Sequence, residues 1–258
     1  MSQTYNTTGI ILKRKDYQEN DRLFFVFTKE HGKLQVVAKG TKKISSKLNS
    51  YLEPMYLVRL MIAKGKGFDK LANCNLLESY QNLREDQSLL GFYLLSYIAE
   101  VNEGLIEGQT FEQKKFELLE QVLGILNHQV SNGYKKLLLI TNVYFLKLLS
   151  LLGYQPEIQR CLECNKGILL TKNIFDFSQG GIICEECKKV CLIEDYLIIS
   201  DGVIKILQLA KEKELDFFIN LQVRAEDDKQ FDQVVNRLLL VNLERSIKSY
   251  QYINRIKK

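Results

Sequence analysis

The sequence predicts a multidomain α+β protein: a small N-terminal β-barrel, then an α-helical domain that carries an inserted cysteine module. Three features support this: short β-rich runs between turn residues up to position 80, helical periodicity after it, and two C-x2-C pairs separated by 19 residues. With 258 residues, 46% of them apolar and 26% charged, the chain can bury a sizeable core, and disorder throughout is excluded. Such a length corresponds to about two domains at roughly 150 residues each, or three small ones.

The barrel comes first. Residues 9–13, 23–28, 33–38, 56–62 and 68–78 read as five strands. Glu30-His31-Gly32-Lys33 and Lys64-Gly65-Lys66-Gly67 have the shortness and glycine content of hairpin turns. After residue 80, segments 83–104, 111–128 and 134–152 carry apolar residues at three-and-four spacing. The third is apolar almost all round, which predicts a central buried helix stopped by Gly153 and Pro156. Helices at 201–215 and 231–256 follow; in the last, Phe231, Val234, Val235, Leu238 and Leu239 form one stripe expected to pack on the helical domain and leave a basic end exposed. The expected division is 1–80 for the barrel, 81–156 with 192–258 for the helical domain, and 157–191 for the cysteine module.

Within that module, Cys161, Cys164, Cys184 and Cys187 form a C-x2-C-x19-C-x2-C array. Each two-residue gap folds a pair of thiolates into a knuckle on one side of a tetrahedral ion, which points to one Zn2+. Two disulfides, or free thiols without metal, are the competing readings. Four thiolates close the coordination sphere, so the expected ion is structural, whereas a catalytic zinc keeps a position open for water. A module of this size is too small for a core of its own, and the metal would replace one. Gly180 and Gly181 supply freedom for the hairpin that brings the knuckles together, and Cys191 is an alternative fourth ligand. Cys74, on a strand, reads as a small apolar core residue.

Nothing in the sequence assembles a catalytic constellation, so the protein is expected not to be an enzyme. The two histidines, His31 and His128, lie about a hundred residues apart in a turn and at a helix end. No H-E-x-x-H, no G-x-S-x-G and no complete phosphate-binding loop around Gly65-Lys66-Gly67 is present. The longest stretch free of Asp, Glu, Lys and Arg is 14 residues, below the 18 or so that a membrane-spanning helix needs. The opening residues have no secretory signal character, so the expected location is the cytoplasm, with thiols kept reduced.

The net charge of +5 conceals a polar distribution. Residues 1–80 carry 14 Lys and Arg against 7 Asp and Glu, residues 81–236 carry 16 against 23, and residues 237–258 carry 6 against 1. A basic end implies a polyanionic partner. Lys33, Lys39, Lys42, Lys43 and Lys47 lie in a stretch without an acid, and Lys13, Arg14, Lys15, Arg22, Arg59, Lys64 and Lys66 join them in the same domain. Phe24, Phe25, Phe27, Tyr51, Tyr56 and Phe68 accompany these cations; most of the rings are needed for the core, and one or two remain to stack bases. A small β-barrel with a basic face and stacking rings describes an OB-fold that binds single strands.

Specific residues then sharpen the assignment. The segments Thr8-Gly9-Ile10-Ile11-Leu12-Lys13-Arg14-Lys15-Asp16-Tyr17, Glu19-Asn20-Asp21-Arg22-Leu23 and Phe27-Thr28-Lys29-Glu30-His31-Gly32-Lys33 resemble the RecO family of bacterial recombination mediators. The loop from Lys39-Gly40 to Leu52-Glu53-Pro54, Leu76-Leu77-Glu78-Ser79-Tyr80, Gly153-Tyr154-Gln155-Pro156 and the two C-x2-C pairs are similar too, so the resemblance covers nearly the whole chain. It implies an N-terminal OB-fold, a helical domain and a zinc-ribbon-like module, with the DNA surface on the basic residues named above. It also implies a role in homologous recombination and DNA repair by the RecF pathway: binding single- and double-stranded DNA, annealing complementary strands, and helping RecR load RecA on DNA coated by single-strand-binding protein. Where the family often has Arg and Pro, residues 42–47 have Lys and Ser, which favours point-charge contacts over bidentate ones. Some members lack the four cysteines, so the zinc expectation rests on this sequence. A zinc-ribbon protein that binds RNA or associates with the ribosome is the alternative, and a zinc-dependent nuclease or hydrolase the third reading.

Overall fold

The computed structural model describes residues 4–43, 49–86, 89–108, 113–169 and 172–256. The chain divides into two compact units, one of Met1–Val130 with Ile247–Lys258 and the other of Ser131–Ser246. This differs from the expected grouping, because the helices anticipated as one domain are shared between the two units.

The first unit begins with strands β1 (Thr4–Asp16), β2 (Arg22–Thr28), β3 (Gly32–Ala38), β4 (Leu57–Ala63) and β5 (Asp69–Glu78). They close in the order β1-β2-β3-β5-β4, a five-stranded barrel with the OB-fold arrangement. Strand β1 is much longer than the five residues expected. Its first half pairs with β4 and its second with β2, with a register shift between Ile11 and Lys13 that turns the strand from one neighbour to the other. Gly9 belongs to both ladders, and a Cβ there would lie 2.6 Å from Val26, so only glycine permits the approach. Phe24, Val26, Leu34, Val36, Val58, Leu60 and Ile62 alternate inward to form the core with Cys74, which is buried as expected.

Helices α1 (Gln81–Arg84), α2 (Leu90–Leu105) and α3 (Gln113–His128) follow. The apolar run of β2 is buried on both faces, because Phe27 points away from the barrel core and meets Phe116 of α3 at 5.7 Å between ring centres. At Gly91 a Cβ would sit 1.9 Å from the Leu83 carbonyl oxygen, so glycine lets the start of α2 lie against α1. The helix expected at 83–104 is therefore two.

The second unit is built around α4 (Tyr134–Leu151), buried almost all round as its sequence predicts. Two polar groups in its interior find partners: Thr141 Oγ donates to the Leu137 carbonyl at 2.8 Å and Asn142 Nδ2 to Asp232 at 3.1 Å. A three-stranded sheet of β6 (Asn173–Asp176), β7 (Gly181–Ile183) and β8 (Tyr196–Ile199) follows in the order β7-β6-β8, with α5 (Glu185–Lys188) after β7. The sheet thus extends past Cys191 into residues expected in the helical domain. Helices α6 (Asp201–Glu212), α7 (Phe217–Asn220) and α8 (Ala225–Leu243) complete the unit.

The chain then returns to the first unit as α9 (Lys248–Ile256). The single helix expected at 231–256 is broken because Glu244 takes a left-handed conformation at φ 52° and ends α8. The apolar stripe from Phe231 to Leu239 belongs to α8, whereas α9 packs on α2. There the Glu100 carboxylate accepts from the backbone N–H groups of Lys248 (3.1 Å) and Ser249 (2.8 Å), and the Tyr93 and Tyr252 rings stack at 5.4 Å. No described helix is long and apolar enough to cross a membrane.

Candidate nucleic-acid interface and metal centre

The barrel sorts the cations named from the sequence into two groups. Lys13 Nζ lies 3.2 Å from the Glu103 carboxylate and Lys33 Nζ donates to the Glu103 carbonyl at 2.8 Å, so both fasten the barrel to α2. Arg14 pairs with Glu53, while Arg22 (3.6 Å) and Lys42 (3.1 Å) share Asp16. The Lys42 ammonium beside Asp16 holds its carboxyl below the usual carboxylate range. Lys15, Lys39, Lys43, Arg59, Lys64 and Lys66 are the exposed remainder. Lys15 lies over the Phe25 ring at 5.3 Å and Lys64 over Tyr5 at 5.4 Å. Lys47 lies outside the described residues.

Three loops bring much of this group together. The Asp21 carboxylate accepts from Gly40 N–H at 2.8 Å, the Asn20 carbonyl from Lys42 N–H at 3.1 Å, and the Gln18 carbonyl from Lys42 Nζ at 3.1 Å. Residues 17–21 and 39–43 are thereby tied. Residues 64–68 join from the β4–β5 turn, where Phe68 meets the Tyr17 ring edge-on at 5.6 Å. Gly65 is required in that turn, since a Cβ would lie 2.2 Å from the Phe68 carbonyl oxygen.

The rings are sorted in the same way. Phe24 and Phe27 are fully buried, Phe25 is half-buried beneath Lys13 and Lys15, and Tyr56 carries the Arg84 guanidinium 4.3 Å from its centre. Tyr51 and Phe68 remain exposed. Sequence reasoning missed Tyr17, 45% exposed, and Lys70, exposed at the start of β5. Tyr17 had one visible signal, an aromatic between a basic strand end and the turn residues Asn20 and Asp21.

In the second unit, Cys161, Cys164, Cys184 and Cys187 place their sulfurs within 4.8 Å of one another, with Cys164 and Cys184 3.9 Å apart. Tetrahedral Zn–S bonds of about 2.3 Å set sulfurs about 3.8 Å apart, so the donor set fits such an ion. The first knuckle turns at Asn165, φ 58°, and is tied to β7 by Leu162 N–H donating to the Ile182 carbonyl at 3.0 Å. Gly180 turns the chain from β6 to β7 with φ 70°, and Gly181 passes so close to the Glu157 carbonyl that a Cβ would lie 2.7 Å from it. The second knuckle lies on α5. Burial acts to raise the Cys161 thiol, but backbone N–H groups of Cys164, Cys184 and Glu163 facing its sulfur outweigh it and lower it. Cys191 is outside the four-sulfur group, so the candidate centre has the ligands read from the spacing.

Residues 1–80 match the family model "Recombination protein O N terminal", and residues 87–251 match "Recombination protein O C terminal". The chain belongs to the RecO family. It is 30% identical over 251 residues to the DNA repair protein RecO of Thermoanaerobacter sp. (strain X514), covering 97% of each chain. It is 28% identical over 257 residues to that of Moorella thermoacetica, covering 99% of this chain and 92% of the relative. With that of Syntrophomonas wolfei it shares 34% identity over 181 residues, 69% of this chain and 68% of the relative. The RecO N-terminal match stops two residues past the end of β5, and the C-terminal match runs through α2–α8 and into α9.

Proposed function

We propose that this RecO-family protein is a non-enzymatic, cytoplasmic DNA-repair mediator that binds single- and double-stranded DNA through its barrel and anneals complementary strands. The observation that carries the reading is the meeting of the three loops, which sets Lys39, Lys43 and Lys66 at the surface beside a pair of exposed rings. Point charges of this kind neutralise phosphates without reading bases, and leave the bases free to pair. We further propose that it acts with RecR and single-strand-binding protein to help load RecA. The four-thiolate centre is read as one structural Zn2+; such an ion would supply fixed geometry to its small module, with no position open for a reacting water.

The test is annealing of complementary strands precoated with single-strand-binding protein, with and without RecR. The reading expects the protein to accelerate annealing, and RecR to alter that rate. No acceleration, or a clear preference for RNA in competition with single-stranded DNA, overturns it.

A further inference from the structure

We propose that Tyr17 and Phe68 form a stacking platform for unpaired bases and give the barrel a preference for single-stranded over duplex DNA. This rests on the reading of the barrel as a DNA-binding domain. The barrel core is complete without these rings, and both are exposed, Tyr17 at 45% and Phe68 at 38%. They come from different turns and meet at 90°, a geometry that aromatic pairs favour and that leaves ring faces open.

The backbones beneath them are fixed. Tyr17 N–H donates to the Asp21 carbonyl at 3.2 Å, and Gly65 N–H to the Asp69 carboxylate at 3.1 Å. Around them the acids are largely consumed: Asp16 by Arg22 and Lys42, Asp21 by Gly40, and Asp69 by Gly65 and the Tyr5 hydroxyl, with Glu19 left at the rim. Lys15 stands two residues before Tyr17, and Lys66 and Lys70 flank Phe68. A base on this pair would therefore have cations on both sides for its neighbouring phosphates. Duplex DNA keeps its base faces covered and can use the lysines alone, whereas a single strand can use both.

The chain has no tryptophan, so Phe68→Trp introduces one reporter at the platform. Its emission is expected to be quenched by a single-stranded oligodeoxythymidylate and not by a blunt duplex. Tyr17→Ala with Phe68→Ala is expected to weaken single-strand binding about tenfold to a hundredfold, stacking being worth about 1–3 kcal/mol per base, with duplex affinity and unfolding midpoint kept. Absence of quenching by the single strand, quenching by both probes alike, or equal losses on both overturns the proposal. A third variant, Lys39→Ala with Lys43→Ala and Lys66→Ala, separates the two levels. If it weakens both probes while the ring variant weakens neither, stacking alone fails; if the wild-type chain binds neither probe, the DNA reading fails and stacking with it.

Discussion

At the scale of single residues, a lysine count does not say which lysines meet a partner. Lys33 and Lys39 lie six residues apart on and just after β3, yet Lys33 donates to the Glu103 carbonyl and Lys39 is exposed. Lys33→Ala removes a charge-assisted hydrogen bond between barrel and helix, and is expected to cost about 2 kcal/mol of stability. Thermal unfolding should register that loss, while Lys39→Ala should leave the midpoint unchanged. Asp227 makes a pH-dependent counterpart. Burial acts to raise its carboxyl, but the Ser200 hydroxyl at 2.6 Å and the Arg224 guanidinium at 2.7 Å outweigh it and hold it below the usual range. A folded pKa below the unfolded value of about 3.9 contributes stability fully above that pH and loses it as pH falls through the folded value. Asp227→Asn is therefore expected to lower the unfolding midpoint at pH 7 and to flatten its fall below about pH 4, as followed by circular dichroism. The sequence shows none of these partners, because residues 33 and 103, or 200 and 227, meet only after the chain has folded.

At the scale of elements, legibility follows from how much an element's own residues decide. Strands β2–β5 lie close to where alternation and turn glycines place them, and α3 and α4 close to where their apolar spacing does. The break between α8 and α9 carries no glycine or proline and is made at Glu244, with α9 held on α2 through Glu100 and tyrosine rings. Strands β6–β8 are three or four residues each, too short for a period to register. The cysteine spacing was fully readable, since two-residue knuckles are a local geometry. Among the described residues, the cluster packed with the four cysteines has three buried members, Cys161, Ile174 and Ile183, which is too little apolar area to hold the knuckles by itself. One divalent ion per chain is expected by metal analysis, and its removal by a chelator, or Cys161→Ser with Cys164→Ser, should release β6–β8 to rapid amide exchange.

At the scale of the whole molecule, the division into units redraws the charge pattern. The unit of Met1–Val130 and Ile247–Lys258 holds 21 basic and 15 acidic side chains, and Ser131–Ser246 holds 15 and 16. The basic first 80 residues and the basic residues 247–258, far apart in sequence, therefore belong to one unit, and the other is nearly neutral. Affinity should then depend on salt through the first unit, with the barrel as its main contributor. Each phosphate contact contributes a slope of about −0.9 on duplex and about −0.7 on single strands in log K against log salt. Changing Lys15, Lys39, Lys43 and Lys66 to alanine should reduce the duplex slope by about 3.6, if each touches one phosphate. Changing Lys135, Lys205 and Lys211 of the other unit should leave it unaltered. The measurement is fluorescence anisotropy across a salt series, read as a slope rather than as one affinity. A slope that responds equally to both sets would place the phosphates along the whole chain, and one that responds only to the second set would move the DNA surface away from the barrel.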